Sequence, residues 1–399
     1  MSNFEFYTPT HVYFGRDTQR QVGDLVRAQG CKKVLVHFGG QSARRSGLLD
    51  QIEASLDAAG VAHVQLGGVV PNPHLSLVYQ GIDLCKKEGV DFILAVGGGS
   101  VIDSAKAIGY GLCMDGDVWD LYDHTRRAEG CTPIGVVLTI AASGSEMSNS
   151  SVITKEEGGI KRGYNDEICR PKFAIMNPEL TMTLPDYQTA CGCTDILMHT
   201  MERYFTQGDS LEITDSIAEG LLRTVMAQAV ILRDDPKNYD ARAEVMWAGS
   251  LSHNGLTGCG HSESDFASHR LEHELGGMFD VAHGAGLAAV WEAGRAMSTR
   301  TACRASSASR ATSWAWKPVC PMRKPPFAAS RTWRISSAPS TCPPASASWA
   351  FILPRRSFAS WRASARLPSA ACSVPPNVWM NPTCWRSIRW PITDLCSSL

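Results

Sequence analysis

Asp195 and His199 stand four residues apart in TDILMHTMERYF, and His269 and His283 follow in SHRLEHELGGMFDVAHG. An i, i+4 pair projects from one face of a helix, so a carboxylate and an imidazole can reach one cation from the same side. Three imidazoles and one carboxylate are borderline nitrogen and oxygen donors. They suit Fe(II) or Zn(II) rather than Ca or Mg, and leave a coordination position open for a substrate oxygen. A single histidine on a helix is more often a surface or satisfied core residue, so only the four together point to a metal. His269 and His273 form a second i, i+4 pair beside Glu272 and Glu274, and the GGMFDVA connection can turn the chain so that His283 meets the same ion. His11, His37, His63, His74, His124, His253 and His261 lack such company and are read as structural.

The second chemical stretch is DFILAVGGGSVIDSAKAIGYG. Phe92 to Val96 is an apolar run of strand length, Gly97, Gly98 and Gly99 make a tight turn, and Val101 to Ile108 has helical periodicity. Strand, glycine turn and helix start form a phosphate-binding arrangement, in which the N–H groups of Gly98, Gly99 and Ser100 converge on a pyrophosphate. It is neither the G-x-G-x-x-G fingerprint nor a P-loop, and a plain tight turn is its bland counterpart. Asp103 and Lys106 lie one turn into the helix, where solvated surface roles compete with roles beside a ribose or phosphate.

GGGSVIDSAK, the upstream Pro71 to Pro73, LTIAASGSEMSNSSVIT, the PELTMTLP run and the Asp195, His199, His269, His283 set together resemble the iron-containing (group III) alcohol dehydrogenases over about residues 1–294. The resemblance is greatest to the NADP-dependent butanol dehydrogenase and aldehyde reductase branch. It implies an α/β Rossmann-like dinucleotide-binding domain (1–186), an all-α metal-binding domain (187–294) and a cleft between them. It further implies that Gly97, Gly98, Gly99 and Ser100 hold the pyrophosphate, that Asp103 lies beside the nicotinamide half, and that Thr139 and Ser143 line the cofactor cleft. AASGSE departs from the family's commoner AGTGSE, with Ala142 in place of a glycine. Lys161 in GGIKRG aligns with a lysine set against the cofactor ribose or phosphate, although a solvated hairpin lysine is the alternative. A homodimer is the assembly such relatives commonly form. Glycerol dehydrogenases share the architecture, and a polyol is the rival substrate.

After the strand KVLVHF comes GGQSARRSG, without the carboxylate that an NAD-selecting site aims at a ribose 2′-hydroxyl. Gly39, Gly40 and Ser42 can offer N–H and hydroxyl donors, with Arg44 or Arg45 as cation, so NADP(H) is favoured over NAD(H). The expected reaction is hydride exchange between a nicotinamide and a small alcohol or aldehyde at the metal. His273 is the candidate proton relay, one turn beyond His269; orienting a ligand is its alternative role.

With 399 residues and 44% hydrophobic content, two ordinary domains with sizeable cores are affordable. Apolar runs at Val34 to Phe38, Val64 to Leu66, Phe92 to Val96 and Ile134 to Leu138 alternate with helical patterns near 43–59, 75–88 and 100–112, which predicts a parallel sheet covered on both faces. Val152 to Thr154 and Lys161 to Tyr164 read as a hairpin. Helices are expected near 188–206, 211–233, 239–256 and 264–276. The net charge of −1 gives no reason to expect a nucleic-acid or membrane partner, and MSNFEFYTPTHVYFG has no basic-then-apolar leader. The 14 cysteines include no Cys-x-x-Cys pair, so reduced thiols and a cytoplasmic location are expected.

From Arg295 onward the chain changes character. Residues 295–399 lack Gly, Glu, Gln, His and Tyr, hold 15 of the 38 Lys and Arg with Asp394 the sole acid, and carry +14 against −15 for residues 1–294. Eight of the 11 tryptophans fall there too, which argues against simple disorder. A basic, Trp-bearing tail could bind nucleic acid or other acidic partners. The favoured reading is a shifted reading frame in GC-rich coding DNA, which yields this Arg, Ser, Ala, Pro, Cys and Trp bias.

Overall fold

The computed structural model describes residues 1–206, 211–262, 264 and 266–291, so the basic segment 295–399 and its readings lie outside the described residues. The strands are β1 (His11–Phe14), β2 (Lys33–Phe38), β3 (Ala62–Leu66), β4 (Phe92–Gly97), β5 (Ile134–Leu138), β6 (Ser150–Lys155), β7 (Ile160–Asn165) and β8 (Phe173–Met176). Six of them form one parallel sheet in the order β1-β8-β5-β4-β2-β3, and β6 and β7 pair antiparallel as a separate hairpin. Helices α1 (Val22–Ala28), α2 (Ser42–Arg45), α3 (Leu48–Ala58), α4 (Leu75–Glu88), α5 (Gly99–Gly111) and α6 (Trp119–Tyr122) fall between strands. After the sheet come α7 (Asp186–Tyr204), α8 (Glu212–Asp234), α9 (Tyr239–His253) and α10 (Ala267–Phe279), and residues 283–291 are again helical.

The apolar runs of β2, β4 and β5 become interior strands because both faces are covered, whereas Val64–Leu66 falls in the edge strand β3. Alternate residues serve opposite cores. Leu35, Ile93, Ala95 and Val136 pack with Val78, Ile82, Ile102 and Ile108 of α4 and α5, whereas Val34, Val36, Leu94, Val96 and Val137 pack with Val22, Val26, Ile52 and Leu56 of α1 and α3. Each such buried aliphatic contributes about 1.5–3 kcal/mol relative to exposure. The helical half has its own core, in which Ile196 and Leu197 of α7 meet Leu222 and Val225 of α8 and Val245 and Ala248 of α9.

Chain order runs from β2 outward to β3, then from β4 outward to β5 on the other side. The reversal makes a crevice between β2 and β4 at their carboxyl ends, the place where open α/β sheets take ligands. Phe38 pairs with Val96, and Gly97 with Leu138, so the turns after β2, β4 and β5 emerge side by side at that edge.

Two parallel strands, β1 and β8, escape the periodicity reading, being only four residues each. The helix expected over 43–59 is two helices, α2 and α3, broken at Gly47, whose φ is 73°. Among the described residues no helix is long and apolar enough to cross a membrane.

Candidate metal centre and cofactor cleft

α7 carries Asp195 and His199 one turn apart on its buried face, with 3.1 Å between Asp195 Oδ1 and His199 Nδ1. α10 supplies His269, whose Nε2 lies 3.7 Å from the same carboxylate oxygen. His283, past the end of α10, brings its Nε2 to 3.6 Å from Asp195 Oδ1. One donor atom each from Asp195, His199 and His269 lies within 4.8 Å of the others, a group that could hold a metal ion. Asp195 Oδ1, His199 Nδ1 and His269 Nε2 are all buried without a hydrogen-bond partner. Three orphaned polar atoms facing one point are costly, about 1–3 kcal/mol each, unless a cation satisfies them together. The donor set therefore fits a borderline divalent ion.

Two carboxylates complete the arrangement. Glu202, one turn after His199 on α7, accepts from His269 Nδ1 and, through Oε1, from the Ser268 amide at 2.6 Å. Glu272 on α10 accepts from His283 Nδ1 and from Lys161 Nζ at 3.0 Å. Each carboxylate takes the Nδ1 proton, which fixes the tautomer and turns a bare Nε2 inward. The i+3 spacings from His199 to Glu202 and from His269 to Glu272 are legible in the sequence, but which histidine each acid serves is not. His253, read as structural, lies with its ring 4.0 Å from that of His199, and its Nδ1 accepts from Arg203 Nη2 at 2.9 Å.

The electrostatics follow from burial and proximity. Burial pushes the Asp195 carboxyl upward, but the pull of His199 and His283, with His269 close by, holds it well below the usual range. Burial lowers His199 to about 4 against the pull of Asp195. His269 is pushed down by burial yet raised on balance by Asp195 and Glu202. His273 sits half-buried with its ring 6.0 Å from that of His283; burial, then the positive charge of Lys161, holds it well below its ordinary value.

The proposed cofactor residues gather at the sheet's carboxyl edge. Gly97 ends β4, Gly98 is extended, and Gly99 and Ser100 open α5. A Cβ on Gly99 would lie 2.2 Å from Ser143 Oγ, so the bare glycine lets the turn after β5 close over the turn after β4. Thr139 donates its amide to Gly97 O at 3.0 Å. Gly39 and Gly40 follow β2, and Ser42 opens α2, exposed at the same edge.

Two of these residues have structural engagements that the sequence did not suggest. Asp103 accepts from Ser145 Oγ at 2.5 Å and from the Val152 amide at 3.0 Å, fastening the hairpin to α5. Lys161 is neither solvated nor free: its side chain is 5% exposed and paired with Glu272. Lys106 is fully buried and donates to the carbonyls of Ser145, Ser148 and Ser150 at 2.8, 3.0 and 2.8 Å, shaping the loop behind the cleft.

Cleft and metal residues meet at one seam. The Ala141 carbonyl lies 2.2 Å from where a Cβ on Gly192 would stand, so the β5 turn packs directly on α7 one turn before Asp195.

Comparison with known proteins finds relatives over most of the described residues. The family model described as iron-containing alcohol dehydrogenase matches residues 9–178, and that described as the Fe-containing alcohol dehydrogenase family, C-terminal, matches 189–308. NADH-dependent butanol dehydrogenase A of Clostridium acetobutylicum is 39% identical over 288 residues, 72% of this chain and 74% of the relative. The NADPH-dependent aldehyde reductase YqhD of Escherichia coli is 36% identical over 294 residues, 73% of this chain and 74% of the relative. The crystal structure of NADH-dependent butanol dehydrogenase A from Thermotoga maritima superposes with a TM-score of 0.72 at 42% identity, covering 73% of each chain.

Proposed function

The chain belongs to the iron-containing alcohol dehydrogenase family, oxidoreductases that bind a divalent metal and NAD(P), and from that premise we propose that it exchanges hydride between NADP(H) and a small alcohol or its aldehyde. The convergence of three orphaned donors, Asp195 Oδ1, His199 Nδ1 and His269 Nε2, carries the reading. Asp195, His199, His269 and His283 would hold one Fe(II) or Zn(II). When bound, the cation supplies Lewis acidity toward the substrate oxygen, and the nicotinamide supplies or accepts the hydride.

The chain's own residues do the remaining work. Glu202 and Glu272 orient His269 and His283. Gly97, Gly98, Gly99 and Ser100 cradle the pyrophosphate with backbone N–H groups at the positive end of α5, with Thr139 and Ser143 beside them. Asp103 lies beside the nicotinamide half, and Lys161 stands against the cofactor ribose or phosphate. His273, half-buried and one turn from His269, is the residue proposed to pass a proton between substrate and solvent.

NADP(H) is preferred in this reading because residues 39–46 carry no carboxylate, while Gly39, Gly40 and Ser42 offer donors. Arg44 supports it: its guanidinium lies 5.6 Å from the Phe38 ring centre and donates to Gln65 at 2.8 Å, which holds a positive charge at the end of β2. The named relatives divide between NADH and NADPH. A homodimer is the proposed state, since among the described residues β1 ends the sheet and leaves an edge that a second copy can meet; the proposed location is the cytoplasm. For residues 295–399 we propose a shifted reading frame; sequencing the coding DNA tests it, and the lack of a one-base shift near codon 295 that restores Gly- and Glu-containing helical sequence would refute it.

The test of function is oxidation of NADPH with butanal by the metal-loaded chain, beside Asp195→Ala and a chelated sample. Turnover that disappears with the metal and with Asp195 supports the reading. Turnover indifferent to both would overturn it.

A further inference from the structure

The Pro71, Asn72, Pro73 turn belongs to the sheet half of the molecule, between β3 and α4, yet its asparagine bonds mainly to the metal half. Asn72 has φ 55°, a left-handed conformation that asparagine tolerates better than most residues, and is 6% exposed. Its Nδ2 donates to Asp280 Oδ1 at 2.9 Å and to Val281 O at 3.1 Å, and its Oδ1 accepts from Lys161 Nζ at 2.9 Å. The whole amide is thereby engaged. The turn is itself anchored, because Pro73 O accepts from the Thr154 amide of the hairpin at 2.8 Å.

The segment it grips is the one that aims His283. Asp280, at the end of α10, is also left-handed with φ 50°, and the chain turns there before reaching His283 three residues on. α10 offers bare backbone at the contact: a Cβ on Gly276 would stand 2.9 Å from Lys161 Nζ, 2.9 Å from Glu272 Oε1 and 3.3 Å from Asn72 Oδ1. Lys161 is held in turn by Glu272, which accepts from His283. Asn72 thus touches the His283 turn directly and its carboxylate partner through Lys161.

We propose that Asn72 is a positioning residue for His283, clamping the 280–281 turn from the opposite half, so that retention of the metal depends on the seam between the halves. This rests on the metal reading given above. An asparagine is suited to the task because it donates to Asp280 and Val281 and accepts from Lys161 at once; aspartate would face the Asp280 carboxylate with like charge, and serine is too short to span all three.

The test loads the full chain with Zn(II) and follows release to a chromophoric chelator. Asn72→Gly keeps the left-handed backbone and removes the clamp, and Asn72→Asp keeps the shape but loses both donors. Release about 10- to 100-fold faster in each is expected, the range seen when groups that orient ligands are lost. In a His283→Ala background, Asn72→Gly should add less than about twofold, because residues acting through one group are not additive. Circular dichroism checks folding, and Asn72→Ser replaces Asn72→Gly if that variant does not fold. Unchanged release in the Asn72 variants, while Asp195→Ala still accelerates it, would overturn the proposal and leave the metal reading standing. Equal acceleration with and without His283 would overturn it too, by placing the effect in general stability. Failure of the unsubstituted chain to retain zinc, or release unaffected by Asp195→Ala, would defeat the metal reading and this proposal together.

Discussion

Lys161 Nζ of the hairpin and Glu272 Oε2 of α10 form an ion pair at 3.0 Å, with side chains 5% and 0% exposed. A pair so dry gives little net stability when intact, but removing one member strands the other charge. Lys161→Met should therefore destabilise the fold by about 3–5 kcal/mol, and should also release Glu272 from the seam. Urea unfolding checks this. A loss below about 1 kcal/mol would mean that water reaches Glu272 and that the seam is open.

Glu202 gives the second prediction. Its carboxylate orients His269 without standing among the proposed ligands, so Glu202→Ala should weaken metal binding about 10- to 100-fold while leaving all four ligands in place. Competition with a chelator of known affinity measures it. Unaltered affinity would show that His269 is oriented by packing alone.

The pairing of Glu202 with His269, rather than with the nearer-in-sequence His199, marks the limit of sequence reading here. Asp195 and His199 are legible because helical period places them on one face. Glu202 lies three residues beyond His199 and Glu272 three beyond His269, but packing of α7 against α10 gives Glu202 to His269, and the chain's turn after α10 gives Glu272 to His283. The interior strands were legible from apolar runs buried on both faces. β1 and β8 were not, because four-residue strands carry too little pattern. Lys161 illustrates a third limit: the sequence sets it against a cofactor or in solvent, but its burial beside Glu272 depends on Gly276 and Asn72 meeting it from distant parts of the chain.

His37 supplies a pH dependence remote from the metal. Its ring is fully buried between Leu66 O and Ser104 Oγ, both at 2.9 Å, and burial lowers its pKa from 6.5 to about 4 despite the Leu66 bond. Between these values the unfolded chain binds the proton and the native one does not. Stability is therefore complete above the unfolded value and falls as pH drops from 6.5 toward 4, by at most about 3 kcal/mol. His37→Gln, which cannot titrate, should flatten this part of the urea-midpoint profile. An identical slope in both proteins would contradict the assignment.

Arg44 tests the nucleotide preference. With no carboxylate in residues 39–46, reversing the charge at the end of β2 by Arg44→Glu should lower the NADPH-to-NADH ratio of kcat/KM by at least about tenfold, the equivalent of roughly 1.4 kcal/mol. Initial rates with both nucleotides decide it. An unmoved ratio would place the 2′ selection elsewhere.

In the proposed function Asp195, His199, His269 and His283 share one cation. Elemental analysis of the full chain after loading with Zn(II) or Fe(II) and exhaustive dialysis, beside Asp195→Ala and His199→Ala, tests it most directly. One tightly held ion per chain is expected, with its loss in both variants. A chain that retains no metal, or variants that retain as much as the unsubstituted protein, would contradict it.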